Sequence, residues 1–135
     1  MNMEEQLNQK TIDQVWKKTW EKGGSILGVV ENRFFVEAYP VFKKYLPVKP
    51  GKILELATGC GRFGVSIAKD FKDSEVYISD ILEESLDLAR KLANKLNVHN
   101  VEFSVQDCMR INFEDNYFDV VFADGVIQLF SNYAQ

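Results

Sequence analysis

Histidine and cysteine are scarce in this 135-residue chain: His99 stands alone, and Cys60 and Cys108 are the only thiols. So few soft ligands, so far apart, do not make a zinc or iron–sulfur site. The same scarcity argues against a disulfide-stapled scaffold. Reduced thiols are expected, with a Cys60–Cys108 bridge under oxidation as the lesser alternative. Basic charge is short as well. Sixteen Lys+Arg against 20 Asp+Glu leave a net charge of −4, which gives no footprint for a nucleic-acid backbone. No run approaches the roughly 18 apolar residues of a membrane span. Residues 1–9 are polar and acidic, unlike a secretory signal. A cytoplasmic protein with neither nucleic acid nor membrane as partner is the expectation.

What is present is an ordinary globular balance, 46% hydrophobic and 27% charged, over a length that suits one domain. Thr11 and Gln14 form a capping box ahead of Ile12, Val15, Trp16 and Trp20, and Gly23-Gly24 stops that helix. A second apolar segment, 29–46, carries Phe34, Phe35, Tyr39, Phe42 and Tyr45, and Pro40 should kink or split it. Pro47 and Pro50-Gly51 turn the chain into a strand at 53–56. Helix and strand then alternate: helix 62–71, strand 75–80, helix 83–96, strand 101–106 and strand 118–123. Leu86, Ala89, Ala93 and Leu96 line one face of the helix over 83–96. Short connections between alternating elements imply an α/β fold with a parallel sheet flanked by helices. The reading is a single domain over 1–135, with a helical extension at 1–50 and a βαβ core at 51–135.

The most informative segment is the strand that runs into glycines, Lys52-Ile-Leu-Glu-Leu-Ala-Thr-Gly-Cys-Gly-Arg-Phe-Gly64. Gly59 and Gly61 free the backbone for a tight turn and for close approach to a ligand, and the helix that follows points its first amides at the same place. A nucleotide-type cofactor is the reading, and two cofactors compete. Gly59-Cys-Gly61-Arg-Phe-Gly64 satisfies a dinucleotide pattern, with Asp80 sixteen residues on as a ribose acid. Three features pull the other way. Glu55 places a carboxylate inside the strand, where burial is costly without a partner. About fifty residues precede the strand. An acid, Asp107, stands at the end of the third strand, and Phe118-Asp-Val-Val opens the fourth.

With these in view the chain resembles the class I S-adenosylmethionine-dependent methyltransferases, particularly those acting on small molecules. Ile53-Leu-Glu-Leu-Ala-Thr-Gly-Cys-Gly61 is similar to that family's first motif, Asp80 to the acid closing its second strand, Gln106-Asp107-Cys108 to its third element, and Tyr117-Phe-Asp-Val-Val-Phe-Ala-Asp124 to its fourth strand. The resemblance implies a three-layer Rossmann-like sheet of order 3-2-1-4 with S-adenosyl-L-methionine at its carboxyl edge. It also implies roles. Asp80 accepts the ribose hydroxyls. Ile81 packs on adenine, Asp107 accepts from the adenine amino group, and the Cys108 amide donates to the ring. Glu55 stands near the cofactor's amino group or on the turn's amides. Ala57, where the family most often has glycine, lies with Thr58, Gly59 and Gly61 against the methionine part and ribose. Asp124 and Gly125 lie beneath the sulfonium. Trp16, Trp20, Phe34 and Phe35 lid the site or pack the core.

Bland alternatives stand beside these roles: Asp80 as a helix cap, Asp107 as a solvated loop acid, Glu55 as a pin for the turn, and the glycines as a tight turn only. No general base is identified. The family usually continues through three further strands, so 118–123 is expected as an exposed apolar edge. It would be covered in a longer chain, by a second copy or by another subunit. A non-catalytic cofactor-binding or interaction module, and an NAD-dependent oxidoreductase fragment, remain the competing functions.

Overall fold

In the computed structural model, residues 26–124 and Gln14 are described. The expectations for Thr11, Trp16, Trp20, Gly23-Gly24 and Gly125 lie outside them. The described elements run α1 (Gly28–Glu31), α2 (Arg33–Lys43), β1 (Lys52–Leu56), α3 (Arg62–Asp70), β2 (Glu75–Asp80), α4 (Glu83–Lys95), β3 (Val101–Val105) and β4 (Val120–Ala123). The strands form one parallel sheet in the order β3-β2-β1-β4, as expected.

The apolar segment ahead of β1 breaks at Asn32 rather than at Pro40. Asn32 is extended, and its side chain accepts from Phe35 N at 2.9 Å, so it caps α2. Pro40 sits inside α2, which runs on to Lys43. Packing of Tyr39 and Phe42 against Phe63 of α3, on either side of Pro40, holds the helix through the proline.

Register decides the faces. Ile53, Val76, Val101 and Val120 align across the sheet, as do Glu55, Ile78, Phe103 and Phe122. This face carries the core: Ile53, Val76 and Ile78 pack with Val65 and Ile67 of α3 and Leu86, Ala89 and Leu92 of α4. Phe42 of α2 reaches the same face, its ring 4.9 Å from Phe122 and 5.3 Å from Phe63. Helices α2, α3 and α4 therefore share one side. On the other side Tyr77 meets Phe113, Tyr117 and Phe118 from the β3–β4 loop, at ring separations of 5.1–5.8 Å. The helical layer expected there lies outside the described residues. β4 is the edge of the described sheet, and Val121 on it is 53% exposed.

Asn100, which opens β3, is a structural knot with no counterpart in the sequence reading. Its Nδ2 donates to the carbonyls of Ala68, Phe71 and Ser74 at 3.0, 3.1 and 2.9 Å, tying the end of α3 and the α3–β2 turn to β3. Truncation leaves those carbonyls short of a donor in a partly buried place. Asn100→Ala is expected to cost about 2 kcal/mol in urea unfolding, while His99→Ala, on the exposed neighbour, stays within about 0.5 kcal/mol. Equal stability of the two variants would remove the knot.

Candidate functional site

Order β3-β2-β1-β4 reverses direction between β1 and β4, and in such sheets the crevice lies outside the carboxyl ends at that point. β1 delivers the glycine turn there. Ala57, Gly59 and Gly61 all take left-handed conformations, at φ 52°, 70° and 81°. For an alanine that conformation costs roughly 1–2 kcal/mol. The glycine the family favours at Ala57 thus has a backbone reason, beyond the room its missing methyl leaves.

Gly61 and Gly64 are required by protein as much as by any ligand. A Cβ on Gly61 would stand 2.5 Å from Ala89 Cβ and 2.9 Å from its Cα, so this glycine lets the turn seat on α4. A Cβ on Gly64 would collide with Glu55 Oε2 and with Ile78. That lets α3 lie close against β1 and β2.

Glu55 lies under the turn and is fully buried. Its Oε2 accepts from Gly64 N at 2.9 Å. Burial pushes its pKa up to about 8. The Thr58 hydroxyl and the Gly64 amide oppose the rise, while the charges of Asp124 and Asp80 add to it. Thr58 is near enough to ease ionisation, but the geometry falls short of a hydrogen bond. Its buried Oγ1 has no hydrogen-bond partner among the described residues. Gly59 N donates to Asp80 Oδ2 and Leu82 N to Asp80 Oδ1, both at 2.9 Å. Asp80 thereby holds the turn to the start of α4, and Thr58 N adds a bond to Ser79 O at 3.0 Å.

The remaining candidates occupy the β3 side. Asp107 is exposed, and its Oδ1 accepts from Met109 N at 2.9 Å, so part of the carboxylate is turned to its own loop. Cys108 is half-buried and free; its thiol is pushed up by burial first, then by Asp107 and Asp80. Cys60 is buried and free, with its thiol raised to about 11 chiefly by burial. Ile81 and Met109 leave 51% and 69% of their surface exposed beside these acids. Asp124 stands exposed directly after β4. The electrostatics join Glu55, Asp80 and Asp124 into one group, and Asp107 and Cys108 to it through Asp80.

The sequence reading passed over Ser79, whose buried hydroxyl donates to Glu55 O at 2.7 Å, and Asp119, whose Oδ2 accepts from Lys52 N at 2.8 Å. Asp119 also packs on Gly51 at the opposite end of the sheet. Its place in the Phe118-Asp-Val-Val run is an anchor for β1. No spacing rule announces either contact. Among the described residues no cluster of three or more metal-ligating side chains occurs.

These residues suit a ligand with an amino group, ribose hydroxyls and a positive centre. The unpartnered Thr58 Oγ1 and the glycine-lined turn are observations of this chain that a small zwitterionic nucleoside would satisfy. Glu55 itself supplies a direct test. An acid with a raised folded pKa keeps its proton in the native state after the unfolded chain has lost it. Its contribution is complete below about pH 4.5 and disappears as pH climbs through about 8. Stability should fall across that window by up to about 1.4 kcal/mol per pH unit from this group. In Glu55→Gln that slope should vanish in urea titrations at a series of pH values; matching slopes would refute the buried neutral acid.

A model of the methyltransferase domain matches residues 48–135. The ubiquinone/menaquinone biosynthesis C-methyltransferase UbiE of Rickettsia felis is 35% identical over 83 residues, covering 58% of this chain and 34% of that protein. The release factor glutamine methyltransferase of Francisella tularensis is 34% identical over 70 residues, covering 52% and 24%. A SAM-dependent methyltransferase from Aquifex aeolicus superposes with a TM-score of 0.59 at 24% identity, over 72% of this chain and 54% of that one. The chain thus spans about a third or less of the curated relatives just named. On the matched domain and the 3-2-1-4 sheet, the chain belongs to the class I S-adenosylmethionine-dependent methyltransferase family.

Proposed function

We propose that this chain is the cofactor-binding part of an enzyme that transfers a methyl group from S-adenosyl-L-methionine to a small-molecule acceptor. The observation that carries the reading is the buried Glu55 beneath a left-handed glycine turn, electrostatically joined to Asp80 and Asp124 at the carboxyl ends of β2 and β4. A dinucleotide fold has the same turn but no need of a buried in-strand acid. When bound, the cofactor supplies an activated methyl on a sulfonium, so the protein's work is mainly to hold donor and acceptor in line.

In this reading Asp80, fixed by two backbone amides, accepts from the ribose hydroxyls as charge-assisted bonds. Ile81 offers an apolar surface to adenine, and Asp107 and Cys108 close that end. Thr58, Ala57 and Gly59 border the methionine part, with Gly61 behind them and Asp124 beneath the sulfonium. The name of the Rickettsia relative, a quinone-pathway C-methyltransferase, supports a small-molecule acceptor. The two free thiols support a reducing compartment such as the cytoplasm. No described helix is long and apolar enough to cross a membrane. The exposed Val121 edge of β4 supports cover by a longer chain or a second copy.

Calorimetric titration of the chain with S-adenosylmethionine, S-adenosylhomocysteine and NAD tests the reading. Binding of the first two with no response to NAD is expected. Asp80→Ala should weaken them by about 1.5–3 kcal/mol, the range for hydrogen bonds to a charged group. Preference for NAD would establish the oxidoreductase alternative, and no binding by any of the three would leave the interaction module.

A further inference from the structure

We infer that Arg62, held on an aromatic shelf from α2, is the residue that recognises the carboxylate of the cofactor's amino-acid end. The inference rests on the cofactor reading above and assigns a charge that reading leaves unmatched. Apart from the thiols, every ionisable side chain so far placed at the crevice is an acid: Glu55, Asp80, Asp107 and Asp124. Acids suit an ammonium, a sulfonium and hydroxyl donors. None suits a carboxylate, which wants a guanidinium fork.

Arg62 is the first residue of α3, directly after Gly61. Its guanidinium carbon lies 5.2 Å from the Phe34 ring centre and 5.8 Å from those of Phe35 and Phe63. Phe34 is 60% exposed and Arg62 is half-buried, so the shelf sits at the surface immediately after the glycine turn. Several other described cations are paired with acids. Arg33 pairs with Glu37, Lys43 with Asp70, Lys52 with Glu75, and Arg90 with Glu83 and Asp87. Arg62 has no carboxylate partner among the described residues. Three rings hold it in place by cation–π attraction while its five N–H donors stay unspent on an acid.

Position agrees with charge. Asp80, Ile81, Asp107 and Cys108 put the adenosine end over β2 and β3. The other end must then extend toward β1 and β4, the side on which α2 packs through Phe42 and Phe122. The α2 residues Phe34 and Phe35, and Arg62 upon them, occupy that side at the level of the turn. The buried Cys60 thiol below also senses the Arg62 charge, which opposes the rise caused by burial.

Two ligands separate this role from a merely structural one. S-adenosylhomocysteine has the amino-acid end; 5′-methylthioadenosine lacks it. With the full chain in calorimetry, Arg62→Gln should weaken S-adenosylhomocysteine about 10- to 100-fold and change 5′-methylthioadenosine less than about 3-fold. Arg62→Lys, which keeps the charge without the fork, should fall between wild type and Gln. Loss of Arg62 also removes a strap between α2 and α3, so thermal melts of each variant confirm the fraction folded. An equal loss for both ligands, or none for either, overturns the inference and leaves the cofactor reading standing. Failure of the wild-type chain to bind S-adenosylhomocysteine overturns that reading and this inference with it.

Discussion

One buried bond organises this molecule: the Glu55 carboxylate of β1 accepting from the Gly64 amide of α3. The first amides of a helix have no partner within the helix, and Gly64 stands in that first turn. The oxygen that satisfies it occupies the space where any side chain at 64 would go, as the collision of a Cβ there with the same oxygen shows. Acceptor and glycine therefore specify each other. Together they set the distance between α3 and the sheet, and so the height of the turn that joins them. Gly61 performs the matching task toward α4. A turn pinned from both sides is rigid enough to present backbone to a ligand.

The two ends of the sheet divide the work. At the amino ends, Asp119 bonds both ways with Lys52, Lys52 Nζ lies 4.3 Å from the Tyr117 ring centre, and the Tyr77 and Tyr117 hydroxyls meet at 2.9 Å. These contacts close the long β3–β4 loop against the strands and bring β4 into register. At the carboxyl ends stand the acids Glu55, Asp80 and Asp124, with the Asp80 and Asp124 charges helping to hold Glu55 in its protonated form. Acids gathered at one end, with paired contacts at the other, are what a binding edge on a stable scaffold looks like.

The architecture was readable because strand and helix differ in period, and the strands announce themselves by short apolar runs, β-branched and aromatic in Glu75-Val-Tyr-Ile-Ser-Asp80. The turn and Asp80 were readable because glycine has few reasons to recur at such spacing. Less was legible where contacts are non-local. Pro40 outweighed Asn32 in the sequence, since a proline is a stronger mark than an exposed cap, yet the cap ended α1. Asn100 and Asp119 each act through residues 26 to 67 positions away. Arg62 reads as an ordinary helix starter until α2 is folded beside it. Gly59 and Gly61 were read as openings for a ligand; Gly61 proves equally to be a contact point for α4, and Gly64 one for the sheet.

Glu55 also bears on how a crevice of acids can exist without a ligand. Three carboxylates around one turn would repel if all were ionised, and the one most removed from water is the one that gives way. Its raised pKa, caused first by burial, keeps it neutral at ordinary pH, so Asp80 and Asp124 bear less opposition. A proton thus stands where a positive group would otherwise be needed. The arrangement accommodates a cation without having to be rebuilt around it, because exchanging that proton for an ammonium or sulfonium nearby restores the same balance. In the reading proposed above, Arg62 on the α2 side of the turn completes the logic. On that proposal the crevice would meet both charges of a zwitterion, the negative one by a fork outside the turn and the positive one by acids beneath it.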